Sequence, residues 1–221
     1  MDTPQTIIEN TADGSHTLFV PALNEHYHSV NGAWQESRHV FIEAGLKQCA
    51  KEEISVFEVG FGTGLNAFLT LVQAKKSDKV VRYTTLELYP LSVEFANSLN
   101  YAELIAPESR DLFETLHLAR WGEEVQISPN FFLRKEKADL CEYSFLSTYD
   151  VVYFDAFAPD KQPEMWNPEL FVKLYDHTNL NGILTTYCAK GVVRRSLQAA
   201  GYAVERLQGP PGKREMLRGR K

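Results

Sequence analysis

The sequence predicts one α/β domain built on a mostly parallel sheet, and three observations support that prediction. Short β-favouring runs alternate with segments whose apolar residues recur at helical spacing. One such run, 54–59, passes through a turn containing Gly60, Gly62 and Gly64 into a helical stripe over 65–72. A chain of 221 residues with 44% hydrophobic content is also long enough to bury one sizeable core.

The first fifty residues predict a small β extension and a helix ahead of the core. Short β-like pieces at 6–8 and 17–20 are interrupted by Asp13-Gly14 and Pro21, which favours a hairpin cap. A helical stripe over 34–48 then leads to the first core strand. We therefore expect an extension over 1–50 and a Rossmann-like core over 51–221, together forming a single domain.

The core is expected to alternate strands and helices to the end of the chain. Asn167 and Pro168 fit the N-cap and first-turn positions of one of its helices, and Gly201 fits a helix stop. The predicted strands cover 54–59, 79–88, 125–133, 148–156, 183–188, 202–207 and 215–218, and the predicted helices begin near 65, 91, 111, 168 and 191.

Composition and charge bear on whether the protein is secreted, membrane-bound, metal-binding or nucleic-acid-binding. We expect a cytoplasmic protein with reduced thiols, because the chain shows no signal peptide, no membrane-length apolar run and only three scattered cysteines. His26 and His28 alternate as metal ligands would, but no suitably spaced third ligand follows, so no metal is predicted. The net charge is −6, yet residues 213–221 carry a local +4, which indicates either a phosphate-contacting patch or a solvated terminus.

The glycine turn has the spacing Glu58-x-Gly60-x-Gly62-x-Gly64. It is not the dinucleotide fingerprint Gly-x-Gly-x-x-Gly, because the last position falls on Leu65, and no Gly-Lys-Ser/Thr ending marks a P-loop. The pattern resembles the S-adenosylmethionine (SAM) turn of Rossmann-like methyltransferases, where the loop passes beside the amino-acid end of the cofactor. The alternative interpretation is a tight strand-to-helix turn with no ligand.

Two further acidic residues stand where this architecture contacts a nucleoside. Glu87 follows Gly64 by 23 residues at the end of a predicted strand, which suits a carboxylate that holds ribose hydroxyls. Asp139 follows the third predicted strand and is a candidate for the adenine amino group. A surface acid and a helix cap are the corresponding structural alternatives.

The loop after the fourth predicted strand carries the candidate chemistry. Asp155 ends an apolar run and is expected to emerge beside the cofactor methyl group, where a carboxylate can orient an amine nucleophile. Phe157 and Trp166 lie in the proline-rich segment that follows, and their rings could sandwich a base or pack the loop.

The complete set of motifs resembles the methyltransferase family of tRNA 5-methylaminomethyl-2-thiouridine synthesis, called MnmC when fused to an oxidoreductase and MnmD when alone. The matching blocks span nearly the whole chain in family order: Ser29-x-x-Gly32-x-x-x-Glu36-Ser-Arg38-His-Val-Phe41, Glu58-Val-Gly-Phe-Gly-Thr-Gly-Leu-Asn66, Asp155-Ala-Phe-Ala-Pro159 with Lys161, Pro163, Met165 and Trp166, Val192-Val-Arg-Arg195 with Leu197, and Lys213-Arg-Glu-Met216.

That resemblance implies a class I SAM-dependent methyltransferase with a seven-stranded, mostly parallel sheet and an antiparallel last strand. It implies methylation of the exocyclic amine of 5-aminomethyl-2-thiouridine at a tRNA wobble position, with Asp155 as the catalytic residue. The expected cofactor contacts are Glu58, Gly60, Gly62, Gly64, Asn66, Glu87 and Asp139, and the expected contacts to the tRNA anticodon loop are Phe157, Lys161, Trp166, Arg194, Arg195, Lys213 and Arg214.

Fused family members continue into an FAD-dependent oxidoreductase that makes the amine. No second glycine fingerprint occurs before Lys221, so this chain is expected to bind no FAD and to depend on an oxidoreductase in trans or on another source of the amine. Two alternatives stay open. One is a methyltransferase or aminopropyltransferase acting on a small amine, and the other is a non-catalytic subunit that presents tRNA to a partner.

Overall fold

The fold is built around an eight-stranded sheet, seen in a computed structural model that describes residues 6–221. The strand order is β10-β11-β9-β8-β4-β5-β7-β6. The five central strands run parallel, whereas β11 is antiparallel to both of its neighbours and β6 is antiparallel to β7. In chain order the sheet strands are Glu53–Val59 (β4), Val80–Leu86 (β5), Glu124–Ser128 (β6), Phe131–Glu136 (β7), Tyr149–Phe154 (β8), Thr178–Thr186 (β9), Ala203–Gln208 (β10) and Glu215–Arg220 (β11).

The predicted α/β class and the reversed last strand are confirmed, but the strand count was one too low. The segment predicted as a single strand over 125–133 is a hairpin, β6 and β7, joined at Pro129 and Asn130. Proline presets the turn dihedral, and the Asn130 side chain anchors the turn by donating to the carbonyl oxygens of Ala74 and Lys79. Those acceptors are distant in sequence, so periodicity alone did not separate the two strands.

The N-terminal extension forms a small antiparallel sheet of Ile7–Asn10 (β1), His16–Val20 (β2) and Glu25–His26 (β3), one strand more than the expected hairpin. The helix expected over 34–48 is interrupted. It consists of Ala33–Ser37 (α1), a π-helical stretch over Arg38–Glu43 and a 3-10 turn at Leu46–Gln48.

The remaining helices cover the two faces of the large sheet. They are Leu65–Ser77 (α2), Val93–Ala96 (α3), Tyr101–Ile105 (α4), Arg110–Leu118 (α5), Pro168–Asp176 (α6) and Gly191–Ala200 (α7). The Asn167 side chain caps α6 by accepting from the Glu169 amide, as predicted. The central strands β4 and β8 are almost entirely buried, as expected for parallel strands covered on both faces, and their carboxyl ends lie side by side.

Candidate active site

The glycine turn lies between β4 and α2 and is bonded to the end of β5. All three glycines have positive φ angles, 89° at Gly60, 50° at Gly62 and 74° at Gly64. The amides of Gly60 and Phe61 both donate to the Leu86 carbonyl oxygen. The turn therefore follows the carboxyl edge of the sheet, where parallel α/β sheets bind ligands.

A cavity of about 860 Å³ opens at this edge, within the size range of small-molecule sites. Its walls come from the glycine turn, the segments after β5, β7 and β8, the N-terminal extension and the loop before β11. Nine of the residues predicted from the sequence line this cavity: Gly60, Gly62, Asn66, Glu87, Asp139, Asp155, Phe157, Lys161 and Lys213.

Asp155 stands at the end of β8 against the first turn of α2. Its Oδ2 accepts a hydrogen bond of 2.8 Å from Nδ2 of Asn66. Burial raises the pKa of the Asp155 carboxyl to about 7; nearby Glu36 adds to the rise, while the hydrogen bond from Asn66 and the charge of Lys213 oppose it. A carboxylate with a pKa near neutrality is suited to exchange a proton with a ligand in the cavity.

Glu87 and Asp139 line the cavity beyond the glycine turn. The Glu87 carboxylate accepts from the amides of Gly62, at 2.9 Å, and Tyr89, at 2.8 Å. Asp139 Oδ1 accepts from the Cys141 amide, so this carboxylate also stabilises its own turn. The two carboxylates are thus held by the backbone while they face the cavity.

Two predicted cofactor contacts do not line the cavity. Glu58 is 0% exposed and lies beneath the turn, where Oε2 accepts a hydrogen bond of 2.7 Å from the Thr85 hydroxyl. A side chain at Gly64 would place its Cβ 2.6 Å from Nε2 of the buried His117, so glycine is required there by packing. The pattern located the turn correctly, but these two residues support it from behind.

Trp166 packs the loop, the second of the two alternatives for this residue, and does not line the cavity. Trp166 is 8% exposed, packs edge-on against Phe154 and donates from its indole nitrogen to the Phe157 carbonyl oxygen at 2.7 Å. It therefore positions the loop, whereas the ring of Phe157 lines the cavity and lies 5.1 Å from the ring of Tyr27. Sequence proximity had grouped two aromatic residues that face different ways.

The three predicted arginine contacts lie outside the cavity. Arg194 and Arg195 are on α7, half-buried and exposed respectively, and Arg214 is exposed in the loop before β11. A role for them can only involve the outer surface, because they do not reach the cavity wall.

One wall of the cavity combines the predicted residue Lys213 with Glu36 and Tyr187, which the sequence had not assigned to the site. Lys213 donates to the buried carboxylate of Glu36, and its ammonium lies 4.0 Å from the ring centroid of Tyr187. Glu36 also accepts from the Ser29 amide, and the Tyr187 hydroxyl donates to the Ala156 carbonyl oxygen. Glu36 and Lys213 both occur in the motif blocks, but no spacing rule pairs residues so far apart.

The histidine pair does not act as a unit. His28 Nε2 shares a hydrogen bond of 2.9 Å with the Thr63 hydroxyl, and burial lowers the pKa of His28 to about 4, so the ring is neutral at neutral pH. His26 is instead bonded to Glu9. Within residues 6–221 no cluster of three or more potential metal ligands occurs, and no helix there has the length and apolarity to cross a membrane.

The cavity suits SAM in the chemistry of its polar groups. The glycine turn offers a close backbone approach, and Glu87 supplies a carboxylate at the strand end where ribose hydroxyls are commonly held. Asp155 and Asn66 provide polar groups at the other side of the turn.

The chain is similar to known SAM-dependent methyltransferases. The family described as S-adenosyl-L-methionine-dependent methyltransferase matches residues 121–221. The "tRNA 5-methylaminomethyl-2-thiouridine biosynthesis bifunctional protein MnmC" of Burkholderia thailandensis is 30% identical over 92% of this chain and 33% of its own length. The protein of the same name from Magnetococcus marinus is 30% identical over 98% of this chain and 35% of its own length. The chain therefore spans about a third of the length of the curated relatives that it matches.

Solved structures extend the agreement to the fold. MNMC2 from Aquifex aeolicus superposes with a TM-score of 0.81 at 27% identity, covering 98% of this chain and 70% of that one. Spermidine synthase from Thermotoga maritima, with a TM-score of 0.58 at 14% identity over 98% of this chain and 72% of its own, shares the fold alone. From its fold, its motifs and these matches, the chain belongs to the SAM-dependent methyltransferase family that includes the methyltransferase domain of MnmC.

Proposed function

We propose that this methyltransferase transfers the methyl group of SAM to the aminomethyl nitrogen of 5-aminomethyl-2-thiouridine at the tRNA wobble position. The product is 5-methylaminomethyl-2-thiouridine, the nucleoside in the names of the MnmC relatives. The observation that carries the proposal is the Asp155 carboxylate, which faces the cavity beside the glycine turn and is held there by Asn66.

Asp155 acts on the amine. Bound SAM supplies an electrophilic methyl group on a sulfonium. The attacking amine must be neutral, so its ammonium form has to lose a proton before transfer. Asp155 accepts a hydrogen bond from the nitrogen and directs its lone pair, and a pKa of about 7 also suits this carboxylate to take the proton.

The cofactor and the base occupy different parts of the cavity in this proposal. Gly60, Gly62 and Asn66 contact the amino-acid end of SAM, Glu87 holds its ribose and Asp139 its adenine. The wobble base is splayed out of the anticodon loop and enters beside Phe157 and Tyr27, whose rings form an aromatic corner of the wall. Enzymes that modify a base generally take it out of its stack in this way.

Basic side chains around the opening contact the anticodon backbone. Lys161 and Lys213 lie in the cavity wall, and Arg194, Arg195 and Arg214 lie on the outer surface. Phosphate contacts of this kind set position and affinity but read no sequence.

An FAD-dependent oxidoreductase acting in trans in the cytoplasm would supply the amine, since the matched relatives are bifunctional proteins.

The test is methyl transfer from labelled SAM into tRNA from cells that lack this activity, with the product nucleoside identified by mass spectrometry. Wild-type protein should place the label in 5-methylaminomethyl-2-thiouridine, and Asp155→Asn should lower the rate of labelling by about 10³-fold. Asp160→Asn is the matched control, because Asp160 lies in the same loop but is exposed and paired with Lys190. Label in free small amines, with none in tRNA, would contradict the proposal and favour the small-amine alternative.

A further inference from the structure

A buried polar cluster lies beneath the glycine turn, on the side away from the cavity. It joins the end of β4 to the first turn of α2 and to β5, and its centre is the Glu58 carboxyl. Thr85 donates to Oε2 of this carboxyl, while the side chains of Asn66 and Tyr83 lie against it. The acidic residue of the motif is therefore directed into the protein interior.

Three polar atoms in this cluster are buried and lack a hydrogen-bond partner among the described residues. They are Oε1 of Glu58, Oδ1 of Asn66 and the hydroxyl oxygen of Tyr83. Buried polar atoms in native proteins are nearly always satisfied, and each one left unpaired is costly. Two of the three, Glu58 Oε1 and Asn66 Oδ1, can only accept when Glu58 is ionised. A single proton on Glu58 turns one of these acceptors into a donor.

The amide nitrogen of Asn66 already has a hydrogen-bond partner. Its Nδ2 donates to Asp155 Oδ2 at 2.8 Å, which leaves Oδ1 facing inward. Turning the amide over would set Oδ1 against the Asp155 carboxylate, where two acceptors repel each other. Whatever donates to Oδ1 therefore also decides whether Asn66 supports the ionised form of Asp155.

We propose that Glu58 is a neutral, hydrogen-bond-donating carboxyl that positions Asn66, so that the Asn66 amide holds the catalytic carboxylate of Asp155 ready for the amine. Glu58 donates from Oε1 to Asn66 Oδ1 and accepts from Thr85 at Oε2. It is a positioning residue, because it touches neither the cavity nor a ligand. This inference rests on the proposed role of Asp155.

The electrostatics of the cluster agree with a neutral Glu58. Burial raises the pKa of this carboxyl to about 8, with the nearby charge of Asp155 adding to the rise, while the hydrogen bond from Thr85 and the adjacent polar side chains of Asn66 and Tyr83 oppose it. The titratable groups that face it are Asp155, Tyr83 and Tyr153, and burial raises the pKa of both tyrosines. Two nearby carboxyls thus divide the roles, one keeping its proton and the other ionising more readily.

The activity test compares E58Q with E58L. Glutamine replaces the donor with an amide N–H and keeps an acceptor for Thr85, so its kcat should stay within about threefold of wild type. Leucine has no donor, so kcat should fall about thirtyfold, and the acid limb of the pH profile should move up by about one unit as Asp155 loses its partner. The dissociation constant for SAM should change little in E58Q, which keeps Asn66 in place.

An infrared measurement tests the protonation state without any substrate. At neutral pH, the Asp155→Asn variant, in which residue 155 carries no carboxyl group, should still show the carbonyl stretch of a protonated carboxyl, and the double variant E58Q/Asp155→Asn should lack it. Because E58Q is close in shape to the native residue, this test does not depend on whether E58L folds. The outcome of this infrared test also does not depend on whether tRNA is the substrate.

Three results would overturn the inference. One is the absence of the protonated-carboxyl band from Asp155→Asn. The second is an E58Q variant as impaired as E58L, which would mean that an ionised carboxylate is needed. The third is a loss of SAM affinity in E58Q with kcat preserved, which would make Glu58 a cofactor contact, as its place in the motif suggests.

Discussion

The two walls of the cavity are built in different ways. The first wall consists of the glycine turn, Asn66, Glu87 and Asp155, which come from the ends of adjacent parallel strands and the first turn of α2. The second wall brings together Tyr27, Glu36, Tyr187 and Lys213, which come from the N-terminal extension, the end of β9 and the loop before β11.

The difference teaches where information about a site is stored. Each residue of the first wall sits at the end of a strand or in the first turn of α2, so its place follows from local structure and from the parallel arrangement of the sheet. The second wall depends on contacts such as the Glu36–Lys213 ion pair, which joins residues 177 positions apart. Substitutions in the first wall should therefore change catalysis and the geometry of the turn. Substitutions in the second wall should change global stability.

The largest expected effect lies in the first wall. Asp155→Asn should lower kcat by about 10³-fold, since it removes an acid–base or orienting group worth about 10²–10⁴. SAM affinity should be nearly unchanged, which equilibrium binding can verify. A variant with wild-type kcat would remove Asp155 from the chemistry.

The second wall should show its effect as lost stability. Lys213→Met leaves the buried Glu36 carboxylate without its cation, and we expect the free energy of unfolding to fall by about 3 kcal/mol. The double variant Glu36→Gln/Lys213→Met should recover a large part of this loss, as measured by chemical denaturation. If Lys213→Met unfolds at the same denaturant concentration as wild type, the pair does not hold this wall.

Two glycine-to-alanine variants separate the cost of backbone strain from the cost of a steric contact, one at Gly122, outside the glycine turn, and one at Gly64, within it. Gly122→Ala introduces a positive-φ alanine, at φ 80°, with nothing within 4 Å, so it should cost about 1–2 kcal/mol of backbone strain. Gly64→Ala adds a contact of 2.6 Å with His117 to a similar φ of 74° and should cost about 2 kcal/mol more. Equal unfolding free energies for the two variants would show that His117 yields easily.

The pH dependence of kcat/KM should follow the ionisation of Asp155 in the first wall. The active form of Asp155 is ionised and its pKa is about 7, so kcat/KM should rise with pH through neutrality. At one unit below that pKa the rate should be about a tenth of the plateau. The limb should vanish in the residual activity of Asp155→Asn, whereas an unchanged limb would assign it to the substrate amine.

The smallest effect is expected on the outer surface. If three to five basic residues contact tRNA, log affinity should fall with log salt at a slope of about −2 to −3.5, and Arg195→Gln should reduce that slope by about 0.7. Arg110→Gln, which removes an exposed arginine outside the predicted contacts, is the control and should leave the slope unchanged. A flat salt profile for wild type would contradict the phosphate contacts.

Local sequence determined more of the fold than of the site. The period switch at the glycine turn, the Asn167-Pro168 cap and the apolar strands that lead into Glu87 and Asp155 correctly indicated an α/β sheet and the edge at which its cavity opens. These features depend on residues close in sequence, so a single chain displays them. The β6–β7 hairpin was missed because its turn is anchored by distant carbonyl groups.

Tertiary structure alone decided which way each candidate side chain faces. Glu58 and Trp166 belong to the right motifs but point into the protein, and Tyr27 and Glu36 enter the cavity from a segment with no cofactor signature. Alternation along a strand shows that a residue is buried, but not whether it meets a cavity or a core. The sequence by itself determined the fold and the edge where the cavity opens; the packing of distant segments, stabilised by burial and ion pairing, decided which residues line it.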